Sequence, residues 1–266
     1  MDLELEGKVA IVTGGSRGIG KAIGRVLAGE GVKVALIART QSSLDAAAAD
    51  VMRQAPGRAK GFACDTTDNA SVKKMVADVI AAFGRVDILV NCAAKPSGQA
   101  RPPTLDEITA EEVWDHVNTK VVGYLRTAQA VMPHMIKQKS GRIINVSGLG
   151  ARHTGTTVGS IRNVGVAALT KNMADELAPH GVQAICVHPG LIRTEATPGV
   201  IAARAKTAGV SEADMEKRMD GGNLVKKLIT ADQIGYLVAF LASPKAMAVN
   251  GDSIPAGGGT PGSIYY

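Results

Sequence analysis

A short apolar run at residues 9–12 leads directly into the glycine-rich string TGGSRGIG at 13–20 and then into a helical pattern, KAIGRVLAG, at 21–29. No other feature limits the possible folds so strongly. A strand that ends in a glycine turn and reopens as a helix lets the backbone approach a pyrophosphate. The helix N-terminus offers it unpaired N–H groups and the positive end of a dipole. The alternation then repeats. Residues 34–38 read as a second strand and 42–52 as a helix, a third strand ends in CDTTD at 64–68, and 70–83 are helical. GRVDILVNCAA at 84–94 holds a fourth strand, residues 105–138 are mostly helical with Pro133 as a bend or boundary, and 142–146 form a strand before SGLG. Strands alternating with helices predict an α/β chain around a parallel sheet.

The composition agrees. Hydrophobic residues make up 45% and aromatics only 3%, so the core must be built from Ala, Val, Ile and Leu, which suits strands buried on both faces. The net charge of +6 raises the question of nucleic acid, but the basic residues are scattered and no aromatics are interleaved with them as stacking platforms. No nucleic-acid surface is therefore expected. Cys64, Cys92 and Cys186 lack metal-ligand spacing and read as reduced thiols of a cytoplasmic protein, and no metal site is expected. The N-terminal stretch is acidic and has no long apolar run, and no segment reaches the length of a membrane span, so neither a signal peptide nor a membrane partner is expected.

The glycine turn, the NCAA string at 91–94, the stretch VAALTKNMADELAPHGVQAICVHPG at 166–190, PGLIRTE at 189–195 and NGDSIPAGGG at 250–259 together resemble the short-chain dehydrogenase/reductase family. The resemblance covers about residues 5–259. It implies one Rossmann domain over 1–266, a doubly wound parallel sheet of about seven strands with helices on both faces, a substrate lid near 195–225 and a short tail at 260–266. It also implies a small-molecule substrate and assembly into homodimers or homotetramers.

Cofactor contacts follow from the same resemblance. Gly14, Ser16, Arg17, Gly18, Ile19 and Gly20 would cradle the pyrophosphate, and Asp65 with Thr66 the adenine. Asn91 and Ala93 would flank a ribose, and Pro189, Gly190, Ile192 and Thr194 the nicotinamide amide. An acid at the end of the second strand would bind the ribose hydroxyls of NAD. Here Ala38 stands there, followed by Arg39, with Arg17 facing it from the glycine turn. Two guanidiniums around one phosphate favour NADP over NAD.

The family's Tyr-x-x-x-Lys pair is missing. Counting back from Thr170 and Lys171 without a gap puts Gly159 at the tyrosine's place and Asn163 at the lysine's. The family's serine position holds Gly148, with Ser147 one residue early. Phenol has a pKa of about 10 and needs the adjacent lysine to work near neutrality, so losing both is more coherent than losing one. The remaining candidates are Asn118, matched to the family's helix asparagine, and Ser147. Weaker ones are Ser160, which shares a helix face with Asn163, and His153; Arg152 and Arg162 are candidates for an anionic substrate. Three readings stay open: an NADP(H)-dependent oxidoreductase with a rearranged acid acting on a small carbonyl or conjugated substrate, a catalytically silent cofactor-binding sensor, and an assembly subunit.

Overall fold

The computed structural model describes residues 1–95 and 103–264; the last two residues of the expected tail lie outside these. The chain opens with β1 (Val9–Thr13), α1 (Gly18–Gly29), β2 (Lys33–Ala38), α2 (Gln41–Met52), β3 (Ala59–Ala63), α3 (Asn69–Phe83) and β4 (Ile88–Asn91). It continues through α4 (Ala110–Val117), a π-helical segment (Asn118–Val122), α5 (Gly123–Gln138), β5 (Gly141–Val146), α6 (Thr157–Leu177) and β6 (Val182–Pro189). Then come β7 (Ile192–Arg193), α7 (Thr197–Ala208), α8 (Glu212–Asp220), β8 (Ile229–Thr230), α9 (Ala231–Ala242) and β9 (Ser253–Ala256).

Seven strands form one sheet in the order β3-β2-β1-β4-β5-β6-β9, every adjacent pair parallel. The expected doubly wound sheet is therefore present. Its strands are apolar on both faces because helices cover both. On β1, Ala10 and Val12 join Ile23 and Leu27 of α1 and Val238 of α9, whereas Val9 and Ile11 join Met75 of α3 and Val131 of α5. Side chains of successive strand residues alternate between faces, so one short run feeds two cores. Strand order reverses between β2 and β4, on either side of β1, and a crevice opens at the carboxyl ends of the strands there.

Two details refine the sequence reading. Pro133 is not a boundary: it lies inside α5, which runs on to Gln138. Both Pro133 and Gln129, whose carbonyl loses its helical donor to the proline, are exposed, so water can satisfy the freed acceptor. The long helix expected over 105–138 is also interrupted by the π-helical segment, where Thr119 Oγ1 donates back to Asp115 O at 2.8 Å. Extra residues per turn rotate the side chains that follow relative to an α-helical count. The lid region folds as α7 and α8, which close on each other through Ile201, Ala205, Met215 and Met219. Among the described residues no helix is long and apolar enough to cross a membrane.

Candidate active site

The carboxyl ends of β1, β2, β4, β5 and β6 and the lid surround one cleft of about 1410 Å³. Thr13 ties its floor together: its Oγ1 accepts from Cys92 N (2.9 Å) and Ala93 N (3.1 Å), fastening the end of β1 to that of β4. The glycine turn is needed sterically. A Cβ on Gly20 would lie 2.3 Å from Gly14 O, and one on Gly14, at φ +67°, would press on the backbone of Cys92 and Ala93. A side chain at either position would fill the cradle. At the N-terminus of α1, Gly18 N donates to Glu195 Oε1 at 2.7 Å, so an anion already sits where the helix offers its free donors.

Gly14, Ser16, Arg17, Gly18, Ile19, Gly20, Arg39, Asp65, Thr66, Ala93, Asn163, Pro189, Gly190 and Thr194 all line this cleft. Arg17 and Arg39 are exposed at its rim. Hydrogen bonds from Thr67 N (2.9 Å) and Thr67 Oγ1 (2.7 Å) hold the Asp65 carboxyl below the usual range, with Arg39 and Arg126 adding to the effect. One of the expected contacts is placed differently. Asn91 is fully buried, donating to Asn145 Oδ1 at 2.9 Å and accepting from Thr127 Oγ1 at 2.6 Å, so its amide is committed to the core. Ile192, expected to act through its backbone, packs its side chain in the core cluster beside α9.

The catalytic end differs more. Ser147 lines the cleft, but its hydroxyl donates to Asn163 O at 2.9 Å and thus pins α6 to β5. Ser160 does not line the cleft; its Oγ donates to His153 O at 3.3 Å. The pairing of Ser160 with Asn163 on one functional face is therefore corrected: a three-residue step turns Ser160 toward the loop while Gly159 and Asn163, four apart, both face the cleft. His153 lines the cleft and is exposed. Arg152 points elsewhere, to Ser253 O at 2.8 Å. Arg162 lines the cleft, with Nη1 donating to Lys95 O at 3.1 Å and 2.6 Å from His116 Nδ1. Tyr124 is no displaced catalytic tyrosine. It is buried, its hydroxyl donates to Val146 O at 2.9 Å, and burial raises its pKa well above the usual value.

Asn118 does not line the cleft, whereas Lys120, two residues on, does. The π-helical segment re-aims the chain here, and the site receives a lysine in place of the expected asparagine. Lys120 is 4% exposed, and its Nζ donates to Ser147 O (2.8 Å) and Asn163 Oδ1 (2.9 Å). Burial lowers its pKa to about 7, helped by the nearby Arg162. The Asn163 amide that receives it sits in space left by glycines: a Cβ on Gly148 would come within 3.0 Å of Asn163 Nδ2, and one on Gly150 within 3.2 Å. The sequence carries no local signal for Lys120, since NTKVV fits an ordinary α-helical count. Burial pushes the Cys92 thiol at the cleft up to about 12, which leaves it inert as a nucleophile. Among the described residues no group of three His, Cys, Asp or Glu side chains could hold a metal ion.

Comparison with known proteins agrees with this architecture. The short chain dehydrogenase family matches residues 8–205. The chain is 36% identical to the short-chain reductase protein NovJ of Streptomyces niveus over 95% of this chain and 94% of that one. It is 34% identical to the 3-oxoacyl-[acyl-carrier-protein] reductase FabG of Vibrio cholerae over 97% and 98%. Among solved structures, L-sorbose reductase of Gluconobacter frateurii, complexed with NADPH and L-sorbose, superposes with a TM-score of 0.92 at 26% identity, covering 99% of this chain and 100% of that one. An actinorhodin polyketide ketoreductase with NADPH gives 0.88 at 28%, covering 96% and 98%.

Proposed function

The chain belongs to the short-chain dehydrogenase/reductase family of oxidoreductases, and within it we propose an NADP(H)-dependent reductase of a small carbonyl or conjugated substrate, working with a non-standard proton donor. The observation that carries this reading is the intact dinucleotide cradle joined to a cleft without the usual tyrosine. The residues present fit the cofactor. Gly14 and Gly20 leave room for the pyrophosphate, and the free N–H groups of α1 already attract a carboxylate oxygen. Bound there, the reduced dinucleotide would supply hydride. Arg17 and Arg39, which line the cleft, would hold the ribose phosphate, Asp65 and Thr66 the adenine, and Thr194 with the Pro189-Gly190 turn the nicotinamide end. The choice of NADP rests on the two arginines and the absent acid at Ala38. The NADPH-bound neighbours support it, although an NAD⁺-bound xylitol dehydrogenase is also similar, with a TM-score of 0.86.

Fluorescence titration with NADPH and NADH, followed by NADPH consumption against ketones, enones and quinones, tests the reading. Tighter binding of NADPH is expected. Arg39→Ala with Arg17→Ala should weaken NADPH by on the order of 100-fold while leaving NADH nearly unchanged, as loss of two charge-assisted contacts implies. Equal effects on both dinucleotides would refute the NADP assignment. No binding of either would refute the cofactor reading.

A further inference from the structure

We propose that Lys120 is the proton source of this site, its ammonium having replaced the missing lysine from a different helix. The inference rests on the reductase reading above and names the residue that reading leaves open. Lysine and asparagine have exchanged places. The position on α6 expected to hold lysine carries Asn163, and the segment expected to present an asparagine presents Lys120 instead. The two side chains meet: Lys120 Nζ lies 2.9 Å from Asn163 Oδ1. The site thus keeps one ammonium and one amide in contact while reversing which element supplies each.

The geometry fixes what this ammonium can do. An ammonium has three donors, and two of them go to Ser147 O and Asn163 Oδ1. Lys120 itself lines the cleft. Gly159, one helical turn before Asn163, lines the same cleft without a side chain of its own, and the Thr156 side chain occupies the space beside it.

Among the described residues, Arg162 on α6, Cys92 after β4 and Cys186 on β6 act on Nζ, and His188 on β6 and His116 on the same helical stretch feel its charge; Asp115 lines the same cleft and is paired with Lys95. Among the described residues no carboxylate pairs with Nζ, and burial with Arg162 lowers the lysine to about 7, which suits proton transfer near neutrality.

The step balances as follows. Bound NADPH would supply the hydride that the substrate carbon takes up, and would be left as NADP⁺. The Nζ–H bond breaks with its electron pair staying on nitrogen, and the proton passes through water to the substrate oxygen, or to carbon in a conjugated acceptor, forming the new O–H or C–H bond. Neutral Lys120 regains a proton from solvent.

The test uses full-length protein labelled with ¹³Cε-lysine, in which the resonance missing from Lys120→Arg identifies Lys120. That resonance is expected to titrate near pH 7, and NADPH consumption is expected to fall with the same midpoint as pH rises. Lys120→Met and Lys120→Arg should both lose turnover by on the order of 100-fold while still binding NADPH. A merely structural cation would be rescued by arginine, but a guanidinium does not release its proton. A Lys120 resonance titrating above about pH 9, closer to an ordinary lysine, overturns the inference, as does unchanged turnover in either variant of an active enzyme. A wild-type protein that neither binds nor consumes NADPH defeats the reductase reading instead. The titration needs no turnover and still decides the lysine.

Discussion

Lys120 is the residue on which this active site turns, and its burial has a thermodynamic consequence apart from catalysis. In the unfolded chain it titrates at the ordinary 10.5, in the folded protein at about 7. Between those values the unfolded state binds more protons, so this group's contribution to stability rises with pH from about 7 to 10.5. Below 7 the charge is buried at full cost. Lys120→Met should therefore be favoured over wild type more strongly at pH 6 than at pH 9, the gap narrowing by about 2–3 kcal/mol in urea unfolding. An equal gap at both pH values would contradict the lowered pKa. His188 follows the same logic lower on the scale: burial takes it to about 4, so its contribution is lost as pH falls from 6.5 toward 4.

At the scale of elements, the N-terminus of α1 is where the proposed cofactor would be anchored, and it already has an occupant. Gly18 N donates to Glu195 Oε1, and Glu195 comes from the loop between β7 and α7 that borders the lid. A pyrophosphate seeking the same donors must displace a like charge. Glu195→Gln should tighten NADPH binding by about 2- to 5-fold, the worth of one charge at a helix terminus, and most at low salt. Isothermal titration decides it; weaker binding would mean that Glu195 assists the cofactor. The glycine cradle and α1 were legible from TGGSRGIG because the turn's own geometry demands glycine: Gly14 and Gly18 have positive φ, and a Cβ on Gly20 would strike Gly14 O. The π-helical segment was not, since NTKVVGYL fits an ordinary α-helical count, and its register depends on packing against α6 and β5.

At the scale of the molecule, apolar side chains remain uncovered on two helices next to the site. Ile161 is 46% exposed and Val164 50% on α6, and Trp114 69% on α4. Such faces are what a second copy of the chain would bury. We expect a dimer or tetramer by sedimentation velocity, and dissociation by the double variant Ile161→Glu, Val164→Glu. A monomeric wild-type protein would exclude that assembly.

By itself, the sequence determined the α/β architecture and the glycine turn that opens α1, and it puts Gly159 and Asn163 where the resemblance expects tyrosine and lysine. Those features are local: each follows from a run of neighbours, a period of two or 3.6, or a turn that only glycine can make. Tertiary structure alone decided which polar groups face the cleft. Asn91 turned into the core, Ser147 and Ser160 gave their hydroxyls to backbone carbonyls, Asn118 faced away, and Lys120 came in. The reason is physical. A side chain's direction depends on the winding of its helix and on what packs against it, and a buried ammonium is stabilised only by acceptors such as Asn163 Oδ1 and Ser147 O, which lie 43 and 27 residues away along the chain.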